Sequence, residues 1–76
     1  MEQSVEIDGD MIRLGQLLKL ASVIDSGAEV KAFLATERVS VNGEIEGRRG
    51  RQLHPGDVVR VGERELLVTS VAARSP

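Results

Sequence analysis

The chain has no cysteine, tryptophan or tyrosine, and only one phenylalanine, one histidine and two prolines. Without cysteine there is no disulfide framework, so aliphatic packing has to hold the fold. A lone histidine and no thiol make a metal-ligand cluster unexpected, and nothing calls for another cofactor. No serine lies in a nucleophile motif, and the glycines do not have the spacing of a phosphate-binding loop, so neither catalysis nor a small-molecule substrate is expected. No apolar run approaches the roughly 20 residues that a membrane helix needs. The scarcity of aromatic rings argues against a platform for stacking splayed bases. The first ten residues carry Glu2, Glu6, Asp8 and Asp10 and no base, the reverse of a signal or transit peptide. A cytoplasmic protein is the expectation.

What is present is aliphatic. Of the 76 residues, 41% are hydrophobic, nearly all of them Val, Leu, Ile or Ala. That length makes residues 1–76 one domain, with a core over about 5–70 and a frayed tail from Ala72 to Pro76. A domain this small buries only about 60% of its unfolded surface, so its core is thin. The net charge is −2, but it is unevenly spread. Residues 1–10 are purely acidic, whereas residues 11–53 hold seven bases (Arg13, Lys19, Lys31, Arg38, Arg48, Arg49, Arg51) against five acids. A modest basic face fits inside an acidic total.

Hydropathy patterning places the elements. Val5 and Ile7 alternate with polar neighbours, which predicts a short edge strand over 4–7. Leu14, Leu17, Leu18 and Ala21 then fall on one face of a helix, with Asp10 or a neighbour as its cap. Ser26 and Glu29 have the spacing of a capping box, which puts Glu29 at the third position of a second helix carrying Ala28, Val30, Phe33 and Leu34. Val23 to Asp25 would join the two helices in a tight turn. After Glu37 the period becomes two. Asn42-Gly43 predicts a type I′ hairpin and His54-Pro55-Gly56-Asp57 a type II turn. Strands follow over Val58–Val61 and Glu65–Val71, separated by a turn at Gly62-Glu63-Arg64. The fold class is α+β, an N-terminal helix pair packed on a small antiparallel β-sheet. No exposed apolar stripe remains, so a monomer is expected.

The segment Gly47-Arg48-Arg49-Gly50-Arg51 stands out, with three guanidiniums in four residues and no acid from 47 to 56. Grouped like charges favour an anionic partner, and the planar fork of arginine suits phosphate. The plainer reading is pairing with Glu44 and Glu46 next door, which for surface pairs contributes only about 0–1 kcal/mol. Anion binding is slightly preferred, with Gly50 allowing close approach of a ligand. Arg13 sits where the helix dipole disfavours a cation, although an ordinary exposed arginine is the simpler account. Lys19 and Lys31 lie on polar helix sides, where each alone reads as a solvated charge. Gly15, inside a helix, costs about 1 kcal/mol relative to Ala, and close packing is the first explanation. Phe33 reads as core.

The order of motifs is recognisable: Arg13-Leu14-Gly15-Gln16-Leu17-Leu18-Lys19, Ser26-Gly27-Ala28-Glu29-Val30-Lys31, Val39-Ser40-Val41-Asn42-Gly43, Arg48-Arg49-Gly50-Arg51 and Pro55-Gly56-Asp57. It resembles the S4 RNA-binding domain with its αL motif, and more narrowly the small stand-alone bacterial proteins made of little else. The resemblance covers about residues 5–70. It implies a basic surface for structured RNA, ribosomal or transfer RNA or the ribosome itself. Arg13 and Lys19 on the first helix, Lys31 on the second, and Arg48, Arg49 and Arg51 in the loop after the hairpin are the implied contacts. Gln52 stands where relatives usually have a base, and Val30 where a small residue is common; the first departure weakens the positive patch. The expected function is non-catalytic RNA binding. The alternatives are a protein-interaction module, or an RNA-targeting partner of a separate RNA-modifying enzyme.

Overall fold

Two-residue alternation builds most of the fold. A computed structural model describes residues 2–25 and 29–71. Five strands form one sheet: β1 (Glu2–Ile7), β3 (Val39–Val41), β4 (Glu44–Ile45), β6 (Val58–Val61) and β7 (Arg64–Ser70), in the order β1-β7-β6-β3-β4. Its inner face carries Val5 and Ile7, Leu66 and Val68, Val59, and Val39 and Val41, all buried. The register aligns these residues across the strands, with Val5 opposite Val68, Leu66 opposite Val59 and Val59 opposite Val41. A slip of one residue on any strand would turn its apolar set to solvent.

The sheet is mixed, not antiparallel as expected, because β1 runs parallel to β7. Parallel neighbours need a long crossover, and here the whole intervening chain supplies it. β1 is at the edge, as predicted, but begins two residues earlier. A second ribbon pairs β2 (Ile12–Arg13) with β5 (Gln52–Leu53). Two-residue strands have no periodicity to read, so the sequence did not reveal it.

Helix α1 (Leu14–Leu20) buries Leu14, Leu17 and Leu18 completely, as its spacing predicts. Arg13 is extended and is the N-cap, so it precedes the helix instead of lying on it, and Asp10 is not the cap. The helix closes in a Schellman turn: the Ser22 amide donates to the Lys19 carbonyl and the Val23 amide to that of Leu18. Ser22 takes the left-handed position usually given to glycine, at φ 60°. Helix α2 (Val30–Thr36) starts later than the capping-box spacing implied. Glu29 is its N-cap, and its carboxylate accepts the Lys31 amide at 3.4 Å. The proposed cap Ser26, and Ala28, lie outside the described residues. The link between the helices therefore runs from Ala21 to Glu29, longer than a turn over Val23 to Asp25. Val30 and Leu34 are buried, whereas Phe33 packs against the core only half-buried.

The turn chemistry holds. Asn42 and Gly43 have φ of 52° and 89°, as a type I′ turn requires, and Gly56 has φ 99°, as at the third position of a type II turn. These two motifs also touch. Asn42 Nδ2 donates to Asp57 Oδ1 at 3.1 Å, Asn42 Oδ1 accepts the Val58 amide at 2.9 Å, and Asp57 Oδ2 accepts the His54 amide at 2.8 Å. Burial raises the Asp57 pKa, but the hydrogen bonds from the His54 amide and the Asn42 side chain, together with the nearby Arg51 guanidinium, outweigh it and hold the carboxyl below its ordinary value. The frayed tail expected over 72–76 lies outside the described residues.

Candidate nucleic-acid interface

After β4 the chain leaves the sheet at Glu46, whose amide donates to the Val39 carbonyl at 2.8 Å. The Glu46 side chain is buried and collects the following loop. It accepts the Arg48 amide and Arg48 Nε, both at 3.0 Å, and Arg51 Nη1 at 2.8 Å. Hydrogen bonds from Arg48 and then Arg51 hold its pKa at about 2, well below its ordinary 4.5, despite the opposing effect of burial. The same contact raises the Arg48 pKa. Pairing with a neighbouring acid was the plainer account of the arginines, and it holds for two of the three. Glu46 is buried, however, so it folds the loop instead of merely balancing surface charge. Glu44 makes no side-chain hydrogen bond or ion pair among the described residues.

The other side of the loop faces the start of α1. The first amides of a helix lack partners within it. Here the loop supplies them: the Leu14 amide donates to the Arg51 carbonyl at 2.9 Å and the Gly15 amide to that of Arg49 at 3.0 Å. Arg13 Nη1 adds a bond to the Gly50 carbonyl at 3.0 Å, and Gln16 Oε1 accepts the Arg13 amide at 3.4 Å. The Gly50 carbonyl answers why a cation sits at this helix start, since it accepts the Arg13 guanidinium. Gly15 is where α1, α2 and the loop meet. A Cβ there would lie 3.2 Å from Val30 Cγ1 and 3.5 Å from both Cβ and the carbonyl oxygen of Arg49. At Gly50 a Cβ would meet only Arg13 Nη1 at 3.8 Å, an ordinary contact, so packing does not demand glycine there.

This frame gathers the residues singled out in the sequence. Arg13, Lys19 and Arg49 line one depression, and Lys31, Arg48 and Arg49 line the next, the two sharing Arg49 and Gly50. Arg51 lies on the far flank beside Arg48. Among the described residues, the side chains of Lys19, Lys31 and Arg49 make no hydrogen bond or ion pair. Sequence reading missed the organising role of Glu46; its signal was a single acid two residues before an arginine run, at the exit of a strand. Among the described residues no group of three His, Asp or Glu side chains could hold a metal, and no helix is long and apolar enough to cross a membrane.

The S4 domain profile matches residues 5–69. The chain belongs to the S4 domain family. It is also similar to the Probable ribosome maturation protein RlbA of Bacillus subtilis (strain 168), with 52% identity over 61 residues, 80% of this chain and 86% of that protein. In this S4 domain, then, the basic loop is one built feature: Glu46 organises it from the sheet side and the α1 amides dock it from the other.

Proposed function

We propose that this S4 protein is a non-catalytic RNA-binding protein that docks on structured RNA, ribosomal or transfer RNA, through the face built on Arg13, Lys19, Lys31, Arg48, Arg49 and Arg51. One observation carries the reading: the six cations come from three separate segments and meet around one loop, in a chain whose net charge is −2. A field concentrated in this way attracts a polyanion even when the total charge does not. The roles divide. Lys19, Lys31 and Arg49 are free to neutralise phosphates, while Arg48 and Arg51 present guanidiniums already oriented by Glu46. Arg13 chiefly fixes the loop. The S4 family membership and the ribosome-maturation name of the relative favour a ribosomal RNA partner.

The test is a titration of the purified protein against ribosomal RNA, transfer RNA and a duplex DNA control. Selective binding of one RNA class, lost in the Lys19→Glu, Lys31→Glu, Arg49→Glu variant, is the expected result. Equal binding of all three nucleic acids, or none, contradicts the proposal. This variant is preferred to charge reversal at Arg48 and Arg51, which would disrupt the loop itself.

A further inference from the structure

We infer that the far flank of the 47–51 loop holds a site for one unpaired nucleobase, an adenine for preference; this rests on the RNA-binding reading above. The depression there has a volume of about 560 Å³ and is lined by Arg48, Gly50, Arg51, Gln52 and His54.

Three features suit it to a base more than to another phosphate. His54 supplies a well-exposed aromatic ring. Phe33 packs against the core, whereas the His54 side chain is 58% exposed. The turn holds His54 in place, because Asp57 Oδ2 accepts its amide at 2.8 Å and lies 3.9 Å from its Nδ1. The second feature is a pair of guanidiniums fixed in advance. The bonds to Glu46 at 3.0 Å from Arg48 Nε and 2.8 Å from Arg51 Nη1 use donors that lie in the guanidinium plane, so Glu46 does not cover the flat faces. The Arg48 side chain is 79% exposed and that of Arg51 31%, so Arg48 presents the more open plane. Imidazole rings and guanidinium planes are the surfaces on which unstacked bases lie, and a fixed plane loses little freedom on binding. The third feature is Gln52, exposed and without a side-chain hydrogen bond among the described residues. A primary amide can donate and accept at once and pairs bidentately with adenine, which a cationic side chain cannot do.

The site also has a path to it. Gly50 lines this depression and both basic depressions on the near side, and Arg48 is shared with one of them, so at Gly50 the crest between them carries no side chain. A strand held by its phosphates on the near side can cross at Gly50 and lower its next base on the far side. Scarce aromatics exclude a stacking platform for a run of bases; they leave room for one.

The experiment uses two RNA hairpins that differ at one position, where a fluorescent adenine analogue is either unpaired or paired. The full-length protein is expected to bind the unpaired form about tenfold more tightly, the order of one stacked base, and to quench its fluorescence. His54→Ala and Gln52→Ala are each expected to remove most of that preference and leave affinity for the paired hairpin unchanged. Both side chains are exposed, and the turn is held by the His54 amide and not by the imidazole, so the variants keep the fold. Equal wild-type affinity for the two hairpins, or a preference that survives both substitutions, overturns the base site and leaves the RNA-binding reading standing. Failure of the wild type to bind either hairpin overturns both.

Discussion

At the scale of single residues, three side chains do work that their types do not announce. Ser22 holds the left-handed position of the α1 Schellman turn, at φ 60°, where a side chain is strained. Ser22→Gly is therefore expected to raise stability by about 0.5–1 kcal/mol in urea unfolding, and a loss of stability would contradict the turn assignment. Arg64 Nη2 reaches the Ala21 carbonyl at the end of α1 at 3.1 Å, so the last turn meets a cation as the helix dipole favours. Glu46 is the third. Its folded pKa, about 2, is below its ordinary 4.5, so its contribution is complete above pH 4.5 and disappears as pH falls toward 2. Glu46→Gln is expected to flatten the acid limb of the stability profile; an unchanged acid limb would mean that the clamp contributes nothing. The roles of Ser22 and Arg64 were not legible in the sequence, and for Glu46 the sequence offered the pairing with arginines but not the burial that makes it organise the loop. Each depends on what a side chain meets across the fold, and a serine, an arginine or a glutamate at the surface of a small domain is ordinary by itself.

At the scale of elements, legibility followed periodicity and turn chemistry. The α1 face, the Asn42-Gly43 hairpin and the Pro55-Gly56 turn are all where local pattern placed them, because positive φ and helical spacing are local requirements. The parallel pairing of β1 with β7 and the β2–β5 ribbon depend on contacts distant in sequence and left no local mark. The second helix failed for a different reason: a capping-box spacing is short enough to arise where the helix does not start, and Glu29 is itself the cap. The contact that matters most for the interface joins α1 to the loop through Gly15. Gly15→Leu would place a side chain against Val30 and Arg49, where even a Cβ comes within 3.2 Å of Val30 Cγ1. The expected cost is about 1–3 kcal/mol of stability, typical of overpacking, together with weaker RNA binding as the loop is pushed off the helix. Gly15→Leu with full RNA affinity would show that docking of the loop on α1 is not needed for the site.

At the scale of the whole molecule, charge is separated, not merely summed. The acids of β1 and the segment after it precede the cations in sequence, and the cations converge around residues 47–51 with one buried glutamate among them. The candidate cations were legible one by one, and the family resemblance grouped them. What the sequence could not show was which of them are free. Arg48 and Arg51 are engaged by Glu46, and Arg13 by Gly50, which leaves Lys19, Lys31 and Arg49 as the side chains whose counterions RNA would release. The most direct measurement is the dependence of RNA affinity on salt concentration, for the wild type and for the Lys19→Glu, Lys31→Glu, Arg49→Glu variant. Three phosphate contacts give a log–log slope of about −2 to −3, and the account predicts that slope for the wild type and a slope near zero for the variant. The same slope in both proteins would contradict it and place the RNA on another face.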